Sequence, residues 1–182
     1  MIDPDVFLAL PELSTANLRL VALGPEHVAG SWATHRDPET RRLAGIHAEL
    51  TEDELAARIV ARRAASDRVD WAIIRTSDNA YVGEVSLRDF DGDNESMDFH
   101  IELGNPALFG QGYGSEATKA VIDFGLGVVQ LHRITLQVVD FNTRAQRLYA
   151  KIGFHPEGLL REAWLWDGER SDVILMAIVA GH

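Results

Sequence analysis

Phe109-Gly110-Gln111-Gly112-Tyr113-Gly114-Ser115-Glu116 sets three glycines between a stretch with strand character and one with helical spacing. Glycines let the main chain approach a ligand and turn successive N–H groups toward it, and a helix starting there adds about half a positive charge. Pyrophosphate is the natural guest of such a loop. Two other phosphate-binding patterns are excluded, because no Lys-Ser or Lys-Thr follows and the glycines are not spaced G-x-G-x-x-G. Taken alone, the loop is as compatible with a plain turn, so its neighbours must decide.

Downstream, Ala117, Ala120, Val121 and Phe124 fall at i, i+3, i+4 and i+7, which predicts a helix, and a strand follows from Arg133 to Val139. Upstream, Ser96 to Leu103 alternates as a strand does, so the helix makes a right-handed β-α-β crossover. Trp71 to Arg75 and Tyr81 to Arg88 read as two more strands. Short turns at Thr76-Ser77-Asp78-Asn79 and Asp91-Gly92-Asp93-Asn94 make these neighbours antiparallel. Leu18, Leu20 and Ala22 alternate as a first strand, Pro25 opens a short helical stretch through Trp32, and residues 1–14 read as an N-terminal arm. Thr51 and Glu54 form a capping box for a helix bearing Leu55, Ile59 and Val60 and running to about Ala65. Asn142 caps a helix bearing Ala145, Leu148, Tyr149 and Ile152, closed by Gly153. Gly158 to Trp166 and Asp172 to Val179 flank Asp167-Gly168 as a hairpin. The expectation is one domain of mixed α/β class. It has a mostly antiparallel sheet of about seven strands, helices on both faces and a central crossover.

The loop, joined to Asn142-x-x-Ala145-x-x-x-Tyr149-x-x-x-Gly153-Phe154, resembles the GNAT superfamily of acyl-CoA N-acyltransferases over roughly Leu18 to Val179. The loop and the opening Leu18-Arg19-Leu20 are most similar to the Rim-type subgroup that acetylates ribosomal-protein N-termini. The resemblance implies acetyl-CoA as cosubstrate, its pyrophosphate held at Gln111, Gly112, Tyr113, Gly114 and Ser115. It also implies pantetheine along the end of the strand at Leu103, splayed from the strand that begins near Arg133. Asn142 belongs to the same implied set. Phe109 stands where the family usually has Arg or Gln, so the anion falls to backbone N–H groups, with Arg147 or Lys151 as helpers. The resemblance further assigns Tyr149 as the acid that protonates the departing thiolate. Its helical spacing beside Leu148 and Ile152 equally allows packing alone.

Amine acetylation needs a base for the ammonium and an acid for the leaving thiolate. In Met97-Asp98-Phe99-His100-Ile101-Glu102-Leu103, strict alternation puts Asp98, His100 and Glu102 on one face. On alternation alone a solvated face is the plainer reading. Counted back from Gly114, Asp98 matches the position of a catalytic glutamate in histone-acetylating members, and Asp98 and Glu102 rank ahead of His100, with Glu84 in reserve. A chain without cysteine forms no cysteinyl thioester, so direct attack in a ternary complex is expected.

The 182 residues carry 46% apolar and 25% charged side chains, as an ordinary globular domain does. A formal charge of −11 without a basic cluster excludes nucleic acid and suits a cationic partner. No secretory or membrane-spanning pattern is seen, and a cytoplasmic location is expected. No metal is expected, since His100 and Glu102 are two ligands where zinc needs three or four. His35, His47, His132 and His155 read as ordinary histidines, and Trp164 and Trp166 as either a wall of the acceptor pocket or packing residues. A homodimer fits the resemblance. The acceptor is a primary amine, on a protein N-terminus or on a polyamine or antibiotic, and an acyl group larger than acetyl stays open. The rival class is a noncatalytic acyl-CoA-binding module.

Overall fold

The computed structural model describes residues 10–181. One sheet holds eight strands: β1 (Leu13–Ser14), β2 (Leu18–Ala22), β3 (Val69–Arg75), β4 (Tyr81–Asp91), β5 (Ser96–Leu103), β6 (Arg133–Val139), β7 (His155–Trp166) and β8 (Glu169–Val179). Their order is β1-β2-β3-β4-β5-β6-β8-β7. The strand beyond the expected seven is β1, in the stretch read as an arm; the first nine residues of that arm lie outside the described residues. Every neighbouring pair is antiparallel except β5 and β6, which run parallel and are joined by the expected crossover.

Among the described residues there are five α-helices: α1 (Val28–Arg36), α2 (Pro38–Ala44), α3 (Glu52–Arg63), α4 (Tyr113–Asp123) and α5 (Thr143–Ile152). A 3-10 turn at Pro25–His27 leads into α1, and α4 runs on into a π-helical turn at Phe124–Val128. The Thr51–Glu54 capping box forms, with Thr51 Oγ1 accepting from the Glu54 amide at 3.2 Å and Glu54 Oε2 from the Thr51 amide at 2.8 Å. Asn142 Oδ1 accepts from the Ala145 amide at 3.2 Å, and Gly153 closes α5 at φ 118. Asp167 and Gly168 both take left-handed backbone, the turn that matches hairpin twist.

Sequence periodicity missed α2, whose seven residues show too few turns for an apolar stripe. Its end signals are present: Asp37 caps it by accepting from the Thr40 amide at 2.8 Å, Pro38 opens it and Gly45 ends it. Helices cover both faces. Under α4 and α5 lies the main core, where Leu20, Trp71, Leu87 and Phe99 meet Val121, Phe124 and Tyr149. On the opposite face Leu55 and Ile59 of α3 pack on Ala72 and Ile74. Each fully buried Leu, Ile, Val or Phe side chain among them contributes about 1.5–3 kcal/mol. Truncating Ile59 to Ala would therefore loosen α3 from the sheet at a cost of about 2–5 kcal/mol.

Candidate active site

The parallel pair holds together over three residues only, Ser96↔Arg133, Met97↔Ile134 and Asp98↔Thr135. Beyond Asp98 the two strands part, as the resemblance implied, and a cleft of about 610 Å³ opens between them. Phe99, Ile101 and Leu103 form one wall and Val138 the other, with Leu148 and Tyr149 of α5 beside them. At its mouth stands the glycine loop. Gly112 is the N-cap of α4 at φ 88 and offers no side-chain cap, so the first-turn N–H groups of Tyr113, Gly114 and Ser115 are open to an anion. A Cβ built on Gly110 (φ 75) or Gly112 would meet nothing within 4 Å, so the glycines serve the backbone conformation and the space beside them is free for a ligand.

Of the expected cofactor residues, Leu103, Gly112, Gly114, Ser115 and Asn142 line this cleft. Gln111 turns its side chain back to donate to the Ala107 carbonyl at 2.6 Å, and the Tyr113 hydroxyl accepts from Arg75 at 3.3 Å, which leaves both to act through their main chain. Arg147 is exposed and does not border the cleft, while Lys151 borders a separate hollow with Ser115 and Glu116. A different cation reaches the loop. The guanidinium of Arg144 lies 3.8 Å from the Phe109 ring centroid and lines the cleft. Phe109 thus forms a platform for an arginine supplied by α5. A cation in the first turn of a helix opposes the macrodipole unless an anion sits nearby.

The register of β4 and β5 sets Glu84 opposite Glu102, Ser86 opposite His100 and Arg88 opposite Asp98, all on the face beneath α1–α3. Like charges directly opposite are destabilising. Here Arg62 of α3 offsets them, donating to Glu84 at 2.9 Å and lying 3.5 Å from Asp70. Glu84 also accepts from Tyr81 at 3.0 Å and from the Ser31 hydroxyl, so its oxygens are already occupied. Asp98 is held by Arg88 Nε at 3.0 Å and borders neither the cleft nor the cavity described next. Burial pushes its carboxyl above the ordinary value despite Arg88.

His100 and Glu102 sit differently. A second cavity, about 440 Å³, lies under α1–α3 and shares His100, Glu102, Arg88 and Ala44 with the first. The two spaces therefore meet at the His100–Glu102 pair, whose Nε2 and Oε2 are 4.0 Å apart. Burial pushes the Glu102 carboxyl up, yet His100, His35 and Arg62 outweigh it and hold the carboxyl below its ordinary value. Tyr149 is buried in the core against Phe99 and Phe154, and that burial, with the Asp98 carboxylate, pushes its phenol well up.

His35, read from the sequence as ordinary, borders the second cavity, with Nδ1 2.9 Å from the Ser31 carbonyl. His47 packs on Trp166 at 5.1 Å, and His132 and His155 are exposed. Trp164 borders the first cleft, where it covers Gly45 so closely that a Cβ there would fall 2.1 Å from the indole. Among the described residues no group of three or more His, Asp or Glu side chains is arranged to hold a metal, and no helix is long and apolar enough to cross a membrane.

Residues 17–155 match the model of the acetyltransferase (GNAT) domain family. The chain is 28% identical over 109 residues to an uncharacterized N-acetyltransferase p20 of Bacillus licheniformis, covering 60% of this chain and 61% of that one. It is 28% identical over 112 residues to spermidine N(1)-acetyltransferase of Escherichia coli (strain K12), covering 62% and 60%. The matched stretch thus spans about 60% of the length of these curated relatives. Among solved structures, spermidine N-acetyltransferase from Vibrio cholerae in complex with CoA and spermine superposes with a TM-score of 0.84 at 22% identity, over 91% of this chain and 96% of that one. That likeness is one of fold.

Proposed function

Since the chain belongs to the GNAT acetyltransferase family, we propose that it is a single-domain enzyme that transfers acetyl from acetyl-CoA directly to a primary amine. One observation carries this reading: the strands part at Asp98 and Thr135, so that the uncapped start of α4 and the His100–Glu102 pair open onto one continuous space. The first-turn N–H groups of α4 fit a diphosphate, and Arg144 on its Phe109 platform adds the cation that the loop itself lacks. The apolar wall from Phe99 to Leu103 fits an extended pantetheine arm.

In the reaction the amine nitrogen bonds to the thioester carbon and the C–S bond breaks, and of the two protons that the ammonium nitrogen loses one passes to solvent and the other balances the proton that ends on sulfur. Glu102, whose carboxyl is held below its ordinary value, attracts the ammonium, and the adjacent imidazole of His100 is the side chain placed to pass its proton to solvent. Tyr149, whose phenol is pushed up, stays protonated, and its role is hydrogen-bond donation to the departing sulfur rather than full release of its proton. Asp98 then serves to anchor Arg88. With no cysteine in the chain, proximity in a ternary complex supplies much of the rate. The scheme needs no metal. A peptide N-terminus and a small amine both suit it, and the spermidine-acetylating relatives keep the small amine in view.

Titration calorimetry with acetyl-CoA, followed by thiol release with a panel of amines, tests the reading. Binding at micromolar levels and intersecting two-substrate plots are expected. Absence of coenzyme A uptake by the folded protein would refute it, and binding without thiol release would leave the noncatalytic acyl-CoA module in its place.

A further inference from the structure

The chain as a whole is strongly acidic, at −11, yet its acceptor-side cavity is not. Four guanidinium groups, from Arg58, Arg62, Arg68 and Arg88, border it. Against them stand three carboxylates, Asp70, Glu84 and Glu102. Two of the three are already paired. Arg68 binds Asp70 through both oxygens, at 2.7 and 2.6 Å, and Glu84 is enclosed by Arg62, Tyr81 and Ser31. That leaves Glu102, beside His100, as the carboxylate for an incoming ammonium.

The cations are not all paired. Arg58 lies on the exposed side of α3, where its charge acts on Glu54 one turn away, and forms no ion pair within 4.0 Å among the described residues. Arg88 directs its Nε to Asp98 at 3.0 Å, with Asp89 at 3.9 Å, and its two terminal nitrogens make no hydrogen bond to a carboxylate among the described residues. A polyamine entering here would find one carboxylate for its several charges and guanidinium groups facing the rest. An amine that also carries a carboxylate finds a partner for each end, and the planar guanidinium is the side chain best shaped to grip that carboxylate.

Resting on the acetyl-transfer reading, we propose that the acceptor is an amine bearing a carboxylate a few atoms from the reacting nitrogen, as a free amino acid or an acidic peptide N-terminus does. The amine sits at Glu102 and His100 and the carboxylate at Arg58 and Arg88. A cavity of about 440 Å³ is of the size that holds a small ligand of this kind.

The test is coenzyme A thiol release with matched pairs. An amino acid is compared with its carboxamide, a C-terminally amidated dipeptide whose second residue is Glu with the same amidated dipeptide carrying Gln there, and spermidine is run beside them. Each carboxylate form should exceed its amide by about tenfold or more in kcat/KM, the scale of one hydrogen-bonded charge contact. Arg58→Gln should collapse that ratio toward one with acetyl-CoA affinity unchanged, and Arg88→Gln should reduce it too. Which pair shows the larger ratio tells free amino acid from peptide. Equal turnover of acid and amide, a ratio that survives both substitutions, or preference for spermidine would overturn the proposal while sparing acetyl transfer. Release with none of these amines nor with any other would remove the acetyl-transfer reading, and this one with it.

Discussion

The two spaces that meet at His100 and Glu102 are built from different materials. The space proposed for the cofactor has apolar side-chain walls, and its mouth, where the diphosphate is proposed to sit, is mostly main chain: a glycine loop and a helix start, with Arg144 as the charged side chain at the loop. The space proposed for the acceptor is bordered by charged side chains, with groups from β3, β4 and β5 met by Arg58, Arg62 and His35 from two helices. Backbone sites tolerate side-chain change, whereas a network of buried charges loses function when one member goes. The contrast makes a graded set of predictions.

The largest effect should come from a residue that breaks the division. Tyr149 borders the cofactor cleft, yet its proposed part is chemical. Tyr149→Phe should lower turnover about 10²- to 10³-fold, the scale of losing one preorganised hydrogen-bond donor to a developing anion, with little change in acetyl-CoA affinity. Single-turnover rates and calorimetry on the same sample decide it. Unchanged turnover would reduce Tyr149 to a packing residue against Phe99 and Phe154.

Glu102→Gln probes the junction from the acceptor side. Turnover should drop about 10- to 10²-fold while acetyl-CoA binds as before, because the lost charge attracts the amine and does not touch the loop. Since the Glu102 carboxyl is held below its ordinary 4.5, it stays ionised down to that pH and beyond. The wild-type advantage should therefore persist across neutral pH and fade only as acid protonates Glu102. An Asp98→Asn variant that loses as much as Glu102→Gln would move the base to Asp98.

The same contrast explains what the sequence could say. Strands Ser96–Leu103 and Arg133–Val139, the capping box and the glycine loop are specified by residues a few positions apart, and each formed where local spacing put it. Alternation placed Asp98, His100 and Glu102 on one face but carried no depth. That depends on where β5 and β6 part, which is a property of the sheet. Arg62 and His35 reach the carboxylates only because α1 and α3 pack across β3 and β4, and Arg144 meets Phe109 only when α5 docks beside the loop. Side-chain constellations of that kind leave no periodic trace. The Phe109 departure was legible as a missing cation, though not the source of its replacement.

A smaller effect should follow at the loop. Arg144→Ala is expected to weaken acetyl-CoA binding by less than about tenfold, since the N–H groups of α4 remain and one exposed charge is partly screened. Raising ionic strength should erase most of the difference between wild type and variant. A loss above about 10²-fold, or a steep fall of wild-type affinity with salt, would show that side-chain charge rather than backbone holds the anion.

The smallest effect separates folding from binding at the same helix. Glu116, in the first turn of α4, accepts from the Asn17 amide at 2.7 Å, from Asn17 Nδ2 at 3.0 Å and from the Thr15 hydroxyl, tying α4 to the turn between β1 and β2. Burial nudges its carboxyl up, but those donors prevail and hold it below its ordinary 4.5. A depressed carboxyl stabilises the fold above its unfolded value and ceases to do so as pH falls through the folded one. Glu116→Gln should therefore cost about 1 kcal/mol or less at neutral pH, solvent screening keeping the figure low, with a Tm lower by about 2–4 °C. The gap between the two melting curves should close as pH falls through that depressed folded value. Acetyl-CoA affinity should hold or rise slightly, because an anion beside the helix start competes with the diphosphate for the same dipole. If affinity instead falls with the charge, the first turn of α4 is not where the diphosphate sits.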